Sequence, residues 1–460
     1  MGSIITGRLD NHFPKPNRFV SLIFAVISSV CTGTIYAYSL YSTGLSINCS
    51  LTAEQTSKLA SGLSIGGIVG GFLGSYILDN IGSELSLLLG SVIIFIGYSI
   101  LFICFRNSLS YFNLLNLAIY LVGCGAQFGL NCALKLTVLN FPKNKSTAQS
   151  FPLGFLALSS LIFSVLFQKL FHYDIENFLK FLAISCFLML FSSIFFLKHV
   201  KNDAKISADS ISNPNIINSS TKIVDTVLET VMKFVLSKWF WIHLVIIGIV
   251  LSFGQNFIFN VGFIINAQYP ILVSKSKHFS YSLSNLKAIN ISIFAIANCC
   301  GRVLTGLFSD FLKNKLKFQR LWSLYLGTIF QCLAQLFIVI LPISFSNLVI
   351  ISSINGFAFG FAFGVYPSII AEFFGVKYLS TMWSLENMGV LVSLTVISKY
   401  FGRVYDSHSN NSNSYSITKV CLAGKDCYRE VFDWTFAVML IVSMLVLGLI
   451  YLRRNISDRS

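Results

Sequence analysis

Residues 282–322 read SLSNLKAINISIFAIANCCGRVLTGLFSDFLKNKLKFQRLW, an apolar run that ends in a basic connector. The run is long enough to cross about 30 Å of hydrocarbon. Its last part, Gly301-Arg302-x3-Gly306-x2-Ser309-Asp310, gathers small residues, a cation and a carboxylate, and Lys313, Lys315, Lys317 and Arg320 follow. Small residues let helices approach closely, and basic residues collect on the cytosolic side. The stretch therefore predicts a polar hinge where a transmembrane helix meets that face.

An echo lies earlier, where Gly70-x4-Ser75-x3-Asp79-x2-Gly82 closes the apolar run that begins near Leu59. Both copies place a glycine, a small residue and an Asp at the same spacing and the same helix end. The chain thus reads as two related halves. Both copies resemble the loop motif of the major facilitator superfamily, small-x-x-x-Asp-x-x-Gly-basic-basic, although Asn80, Ser83 and Glu84 stand where that family has basic residues. The resemblance implies a cytosolic gate formed by Asp79, Gly82, Gly301, Arg302, Gly306 and Asp310.

Composition agrees with a membrane protein. Charged residues are 11% of the chain and hydrophobic residues 55%, with 44 Phe and a mean hydropathy of +0.73. Soluble domains carry about 25% charge, so most of this chain faces lipid or protein. The net charge of +15 is not gathered into a basic stripe with stacking aromatics, so no nucleic-acid partner is expected. The eleven Cys fall mostly inside apolar runs and form no CxxC, which argues against a metal site. Neither a P-loop nor a catalytic motif with its supporting context occurs, so no enzyme activity and no cofactor are expected.

Segments of about 20 mostly apolar residues begin near Phe19, Leu59, Leu85, Phe112, Ser150, Phe178, Phe240, Leu283, Trp322, Leu348, Leu379 and Trp434. These starts predict an all-α membrane protein of twelve transmembrane helices in two pseudo-symmetric six-helix halves. The expected divisions are a tail over 1–18, a first half over 19–198, a polar linker over 199–238, a second half over 239–453 and a tail over 454–460. Placing the linker inside puts Lys143, Lys145, Lys313, Lys315, Lys317, Arg320, Lys377, Arg453 and Arg454 inside as well, in line with the positive-inside rule. Both termini are then cytosolic. Arg106, Lys275, Lys277, Arg403, Lys419, Lys425 and Arg429 are the exceptions that fall outside. Cys421 and Cys427 lie in the long outer connector, where they can pair in an oxidising lumen or remain free thiols.

Several stretches, in order along the chain, resemble one branch of the superfamily, the nodulin-like proteins and the fungal monocarboxylate-transporter homologues. They are Gly33-Thr34-Ile35-Tyr36 with Tyr41-Ser42 and Gln55, Asn140-Phe141-Pro142, Asn260-Val261-Gly262, Gly301-Arg302 with Lys317-Phe318-Gln319-Arg320, and Gly360 to Gly375 with Tyr405-Asp406. The resemblance implies a solute transporter working by alternating access on a small polar or anionic solute, a monocarboxylate or an amino-acid-like molecule. Protons are an expected second partner, the lipid bilayer a third, and a monomer the expected state. Fungal relatives point to the vacuolar membrane; the plasma membrane stays open. A non-transporting receptor on the same fold is the alternative.

A charge within a bilayer costs at least about 2.5 kcal/mol, so intramembrane polar residues are the first functional candidates. Glu386 lies about 10 Å inside the eleventh span at 1.5 Å per residue and is a candidate proton carrier, or part of a packing network with Asn387. Gln127, Asn131 and Lys135 recur one helical turn apart. Lys135 can attract an anionic substrate or extend its ammonium to the interface. Gln255, Asn256 and Asn260 put amides together in the seventh span, and Tyr36 of the first span is a further hydrogen-bonding candidate, as is Tyr366 beside Pro367 in the tenth. No His sits centrally in a span, so a His relay is not expected.

Overall fold

The computed structural model describes residues 17–51, 53–200, 232–275, 281–409, 421 and 423–457. Nearly all of the expected N-terminal tail, most of the expected linker, the tip of the outer connector and the last three residues lie outside the described residues. No strand occurs among the described residues. In hydrocarbon every backbone N–H and C=O must bond within the chain, and a helix does this segment by segment.

The first part of the chain supplies α1 (Arg18–Thr32), α2 (Tyr38–Asn48), α3 (Ala53–Asn80), α4 (Ser83–Arg106), α5 (Phe112–Asn140), α6 (Lys145–Lys169) and α7 (Ile175–Phe196). A 3-10 segment, Gly33–Ala37, joins α1 to α2, so the first crossing is one interrupted helix. The second part supplies α8 (Lys238–Lys275), α9 (Leu283–Asn314), α10 (Leu321–Ile340), α11 (Phe345–Phe373), α12 (Leu379–Ser409) and α13 (Arg429–Ser457). Counting α1 and α2 as one crossing, each part contributes six long helical segments. Among the described residues, eleven segments are long and apolar enough to cross a membrane by length and composition. The exception is α12, whose length suffices but which carries Glu386, Asn387, Lys399, Arg403 and Asp406.

Two compact units emerge. One comprises residues 1–242 together with Ile370–Leu385, the other His243–Ile369 together with Glu386–Ser460. In the first unit α5 is central, packing against α1, α3, α4 and α6, while α4 also packs against α7. The α3–α5 approach is close because glycine stands at the crossing: a Cβ on Gly70 would overlap the Cys124 carbonyl, and one on Gly123 the Leu63 carbonyl. In the second unit the same device joins α9 to α11, where a Cβ on Gly301 would overlap the Phe357 carbonyl and one on Gly360 the Asn298 carbonyl. The second and fourth helices of each six-helix set are thus paired in the same way.

Helix ends follow local chemistry. Asp174 caps α7 by accepting from the Asn177 N–H at 3.2 Å, and Ser282 caps α9 through Asn285 at 3.3 Å, as side-chain oxygens do at N-caps. Gly82 turns the chain from α3 into α4 at φ 137°, a conformation open to glycine and strained for other residues. Asn140 closes α5: its amide donates to Ser21 Oγ and to the Lys198 carbonyl, both at 2.9 Å, and its Oδ1 accepts from the Val200 N–H. The Asn140-Phe141-Pro142 stretch therefore ties three chain segments of the first unit together.

Candidate functional site

Two polar assemblies occupy the first unit, both built between α3 and α5 and completed by the opening turns of α12. Asp79 is the acid of the first motif copy. Its Oδ1 lies 2.5 Å from Lys135 Nζ, and its Oδ2 accepts from Thr381 Oγ1 at 2.6 Å. The Asp79 side chain is 2% exposed and that of Lys135 11%. The cation missing from the loop after Asp79 is therefore supplied by α5. Among the loop residues, Asn80 donates to its own helix at the Tyr76 carbonyl, and Glu84 pairs with Lys198 at 3.4 Å.

One turn deeper, Asn131 Nδ2 donates to the Gly71 carbonyl at 2.9 Å and to Ser75 Oγ at 2.8 Å. Ser384 Oγ stands 2.8 Å from Ser75 Oγ and donates to the Gly71 carbonyl. The spacing Asn131-x3-Lys135 matches Ser75-x3-Asp79, so two helices crossing at glycines align two polar rungs. Gln127, the third member of the expected stripe, is half-buried beside Gly67. Tyr36 lies in the 3-10 segment and is 40% exposed. Sequence reading singled out Asn131 and Lys135 but missed Thr381 and Ser384, and took Ser75 only as a small residue. Its place four residues before Asp79 was the available signal.

The second unit carries the other motif copy. Arg320 Nη1 lies 2.5 Å from Asp310 Oδ1 and donates to Ser309 Oγ at 3.1 Å. Arg320 was counted only among the basic residues of the connector, yet it is buried with Asp310. Arg302 is buried too; its Nε donates to Asn298 Oδ1 at 2.9 Å, and its guanidinium lies 4.1 Å from the Phe363 ring centroid and 5.7 Å from that of Phe359. Stacking on aromatic faces is how a cation tolerates such burial. Gly306 is buried one turn after Arg302.

On α8, Asn260 Nδ2 donates to Asn256 Oδ1 at 2.8 Å, while the Asn256 Nδ2 donor is buried and has no hydrogen-bond acceptor. Gln255 is half-buried. Gly254 lies within this continuous helix, where a Cβ would overlap the Phe359 side chain. Glu386 is fully buried, and neither carboxylate oxygen has a hydrogen-bond partner. Its neighbour Asn387 is half-buried. Tyr366 is fully buried and donates to the His243 carbonyl at 3.0 Å. His243, six residues into α8 by its numbering, was passed over because it is not central in its span; the structure buries it completely.

Cys421 and Cys427 form a disulfide. Around them the connector is fastened to the second unit: the Cys421 N–H donates to Tyr405 Oη at 3.3 Å, Lys425 Nζ to the Val339 carbonyl at 2.7 Å, and Gln268 Nε2 to Tyr428 Oη. No group of three or more His, Cys, Asp or Glu side chains suited to a metal ion occurs among the described residues.

Paired helices crossing at glycines are thus repeated in two six-helix sets, each with an Asp at the same helix end. A sequence profile described as the Major Facilitator Superfamily matches residues 18–397. The chain belongs to the major facilitator superfamily of membrane transporters. Among relatives, an uncharacterized membrane protein of Saccharomyces cerevisiae, YMR155W, is 26% identical, the match covering 98% of this chain and 97% of that protein. The probable transporter MCH1 of Wickerhamomyces anomalus is 24% identical over 88% of this chain and 83% of its own length. An uncharacterized MFS-type transporter of Escherichia coli, YhjX, is 21% identical over 81% and 84%. Among solved structures, the superfamily transporter FucP in the outward conformation superposes with a TM-score of 0.57 at 12% identity, covering 93% of this chain and 99% of that one. That likeness is one of fold.

Proposed function

We propose that this protein is a secondary active transporter that moves a small polar or anionic solute by alternating access, with Glu386 carrying a coupling proton. Glu386 itself carries this reading, as a fully buried carboxylate whose two oxygens have no hydrogen-bond partner. Burying a carboxylate charge without partners costs several kcal/mol, and a proton removes that charge. A group in that position gains most by exchanging a proton when its surroundings change. The buried Asn256 amide donor and its neighbour Asn260 offer uncharged hydrogen bonds for orienting a solute, as polar groups do in an otherwise apolar pocket. Gln255 and Asn387 of the same unit are further candidates for that role, and Tyr36 and Gln127 are candidates in the first unit. A monocarboxylate or amino-acid-like solute follows from the resemblance to the nodulin-like and monocarboxylate-transporter-homologue branch.

Asp79 with Gly82, and Asp310 with Gly301, Arg302 and Gly306, are the gate in this reading, each Asp holding one conformation of its unit. Both termini face the cytosol in this reading, by the distribution of Lys and Arg between spans, and the vacuolar or plasma membrane is the site of action by the resemblance to fungal relatives. The energy source is an ion gradient.

Uptake of labelled monocarboxylates and amino acids into proteoliposomes, with and without a proton gradient, tests the function. Gradient-driven accumulation of one solute that is lost in Glu386→Gln is the expected result. Accumulation that survives Glu386→Gln overturns the coupling role. Failure of every solute in folded protein removes the substrate class.

A further inference from the structure

Three buried titratable side chains meet in the second unit, and the transport cycle proposed above uses only one of them. His243 of α8, Tyr366 of α11 and Glu386 of α12 are all fully buried. The Tyr366 hydroxyl has two acceptors in reach, the His243 carbonyl at 3.0 Å and the ring Nδ1 at 3.2 Å. Glu386 lies within electrostatic reach of the phenol. The approach of α8 to α12 beside this cluster is fixed by glycines: a Cβ on Gly389, three residues after Glu386, would lie 2.6 Å from the Leu244 carbonyl, and one on Gly248 would lie 2.9 Å from the Gly389 carbonyl. All three side chains stand within about two turns of a helix end, at the ends where α8 and α12 begin and α11 finishes.

We infer that Tyr366 and His243 form a proton conduit for Glu386. The inference rests on the reading of Glu386 as proton carrier. The Glu386 carboxyl gives its proton to Tyr366 Oη across one water, as the Tyr366 hydroxyl swings from the His243 carbonyl to Nδ1 and delivers its own proton there. The imidazolium then releases the Nε2 proton and is left as the Nδ1–H tautomer; loss of the Nδ1 proton to water and gain of one at Nε2, with the hydroxyl turning back to the carbonyl, restores the starting arrangement. Tyr366 ends as it began, and one proton has left Glu386. A hydroxyl that can turn between two acceptors is what such a relay requires, because proton transfer needs donor and acceptor within hydrogen-bond reach. His243 is completely buried, and Arg453 of α13 lies within electrostatic reach of it. Burial first, and the nearby cation second, disfavour a charged imidazole, so His243 passes the proton on.

The test is hydrogen–deuterium exchange at the Glu386 carboxyl, followed by infrared difference spectroscopy of the purified full-length protein and assigned with Glu386→Gln. Tyr366→Phe removes one oxygen, and His243→Asn keeps a donor near Nδ1 but cannot relay. Each is expected to slow carboxyl exchange about 100-fold or more while leaving the melting temperature close to that of the unaltered protein. Should His243→Asn fail to fold, Tyr366→Phe alone decides. Exchange in folded Tyr366→Phe at the unaltered rate, or faster, overturns the conduit. If Glu386→Gln removes no protonated carboxyl band, the proton-carrier reading itself fails, and this is distinguishable because it needs neither conduit variant.

Discussion

At the scale of single residues, the Asp79–Lys135 pair shows how a motif departure is compensated in space. Two nearly buried charges 2.5 Å apart repay their desolvation only in good geometry with the remaining lone pairs satisfied, and Thr381 supplies such a bond. Removing one partner leaves an uncompensated charge. Lys135→Met is expected to destabilise the folded protein by about 3 kcal/mol, read as a lowered melting temperature in detergent. Asp79→Asn should cost less, since an amide oxygen can still accept from Thr381, and the double variant should recover most of the Lys135→Met loss. Simple addition of the two losses would contradict the pairing. In the second unit, Asp310→Asn removes the negative charge that pairs with Arg320. We expect lower transport at unchanged membrane abundance, and equal transport would remove Asp310 from the gate.

At the scale of elements, two devices fix the helices. The first is glycine at crossings. A methyl at Gly123 would overlap the Leu63 carbonyl of α3, a rigid backbone atom, so Gly123→Ala is expected to destabilise by about 1–3 kcal/mol. Gly402, whose Cβ would meet nothing, is the control, and its Ala variant should melt no lower. The second device is the fastened outer connector. Replacing both Cys421 and Cys427 with Ser removes a link across a separation of six residues, and for so short a loop the loss is about 2 kcal/mol by chain entropy. Thiol labelling checks the bond: Cys421 and Cys427 should react in denatured protein only after reduction, whereas Cys300, exposed and free, should react without it.

At the scale of the whole molecule, the second and fourth helices of each set repeat one packing scheme while the polar chemistry of the sets differs. Each unit carries a charged pair, Asp79–Lys135 in the first and Asp310–Arg320 in the second; the first adds an amide–hydroxyl rung, and the second adds a buried carboxylate with a His–Tyr pair. Proton coupling is therefore expected to follow changes in the second set. Transport by Glu386→Gln, if retained as solute exchange without a gradient, should show no dependence on external pH over the range in which the unaltered protein does.

Much of this was legible in the sequence because its cause is local. Apolar run length fixes where helices cross a bilayer, and helix starts fall within a few residues of those read from Phe112, Leu283, Trp322 and Leu379. The repeated Gly, small residue and Asp spacing marked both polar helix ends. The 3-10 break at Gly33–Ala37 had no such signal, and α12 was read as a span although it is more polar than its neighbours. What the sequence could not state is which polar side chains meet. Lys135 finds Asp79 from a helix 56 residues away, Thr381 reaches it across 302, and His243 finds Tyr366 across 123. Helical periodicity places a residue on a face of its own helix. The partner helix, its register and its closeness are settled only when glycines from distant segments let backbones touch and buried polar groups find the partners that hydrocarbon denies them.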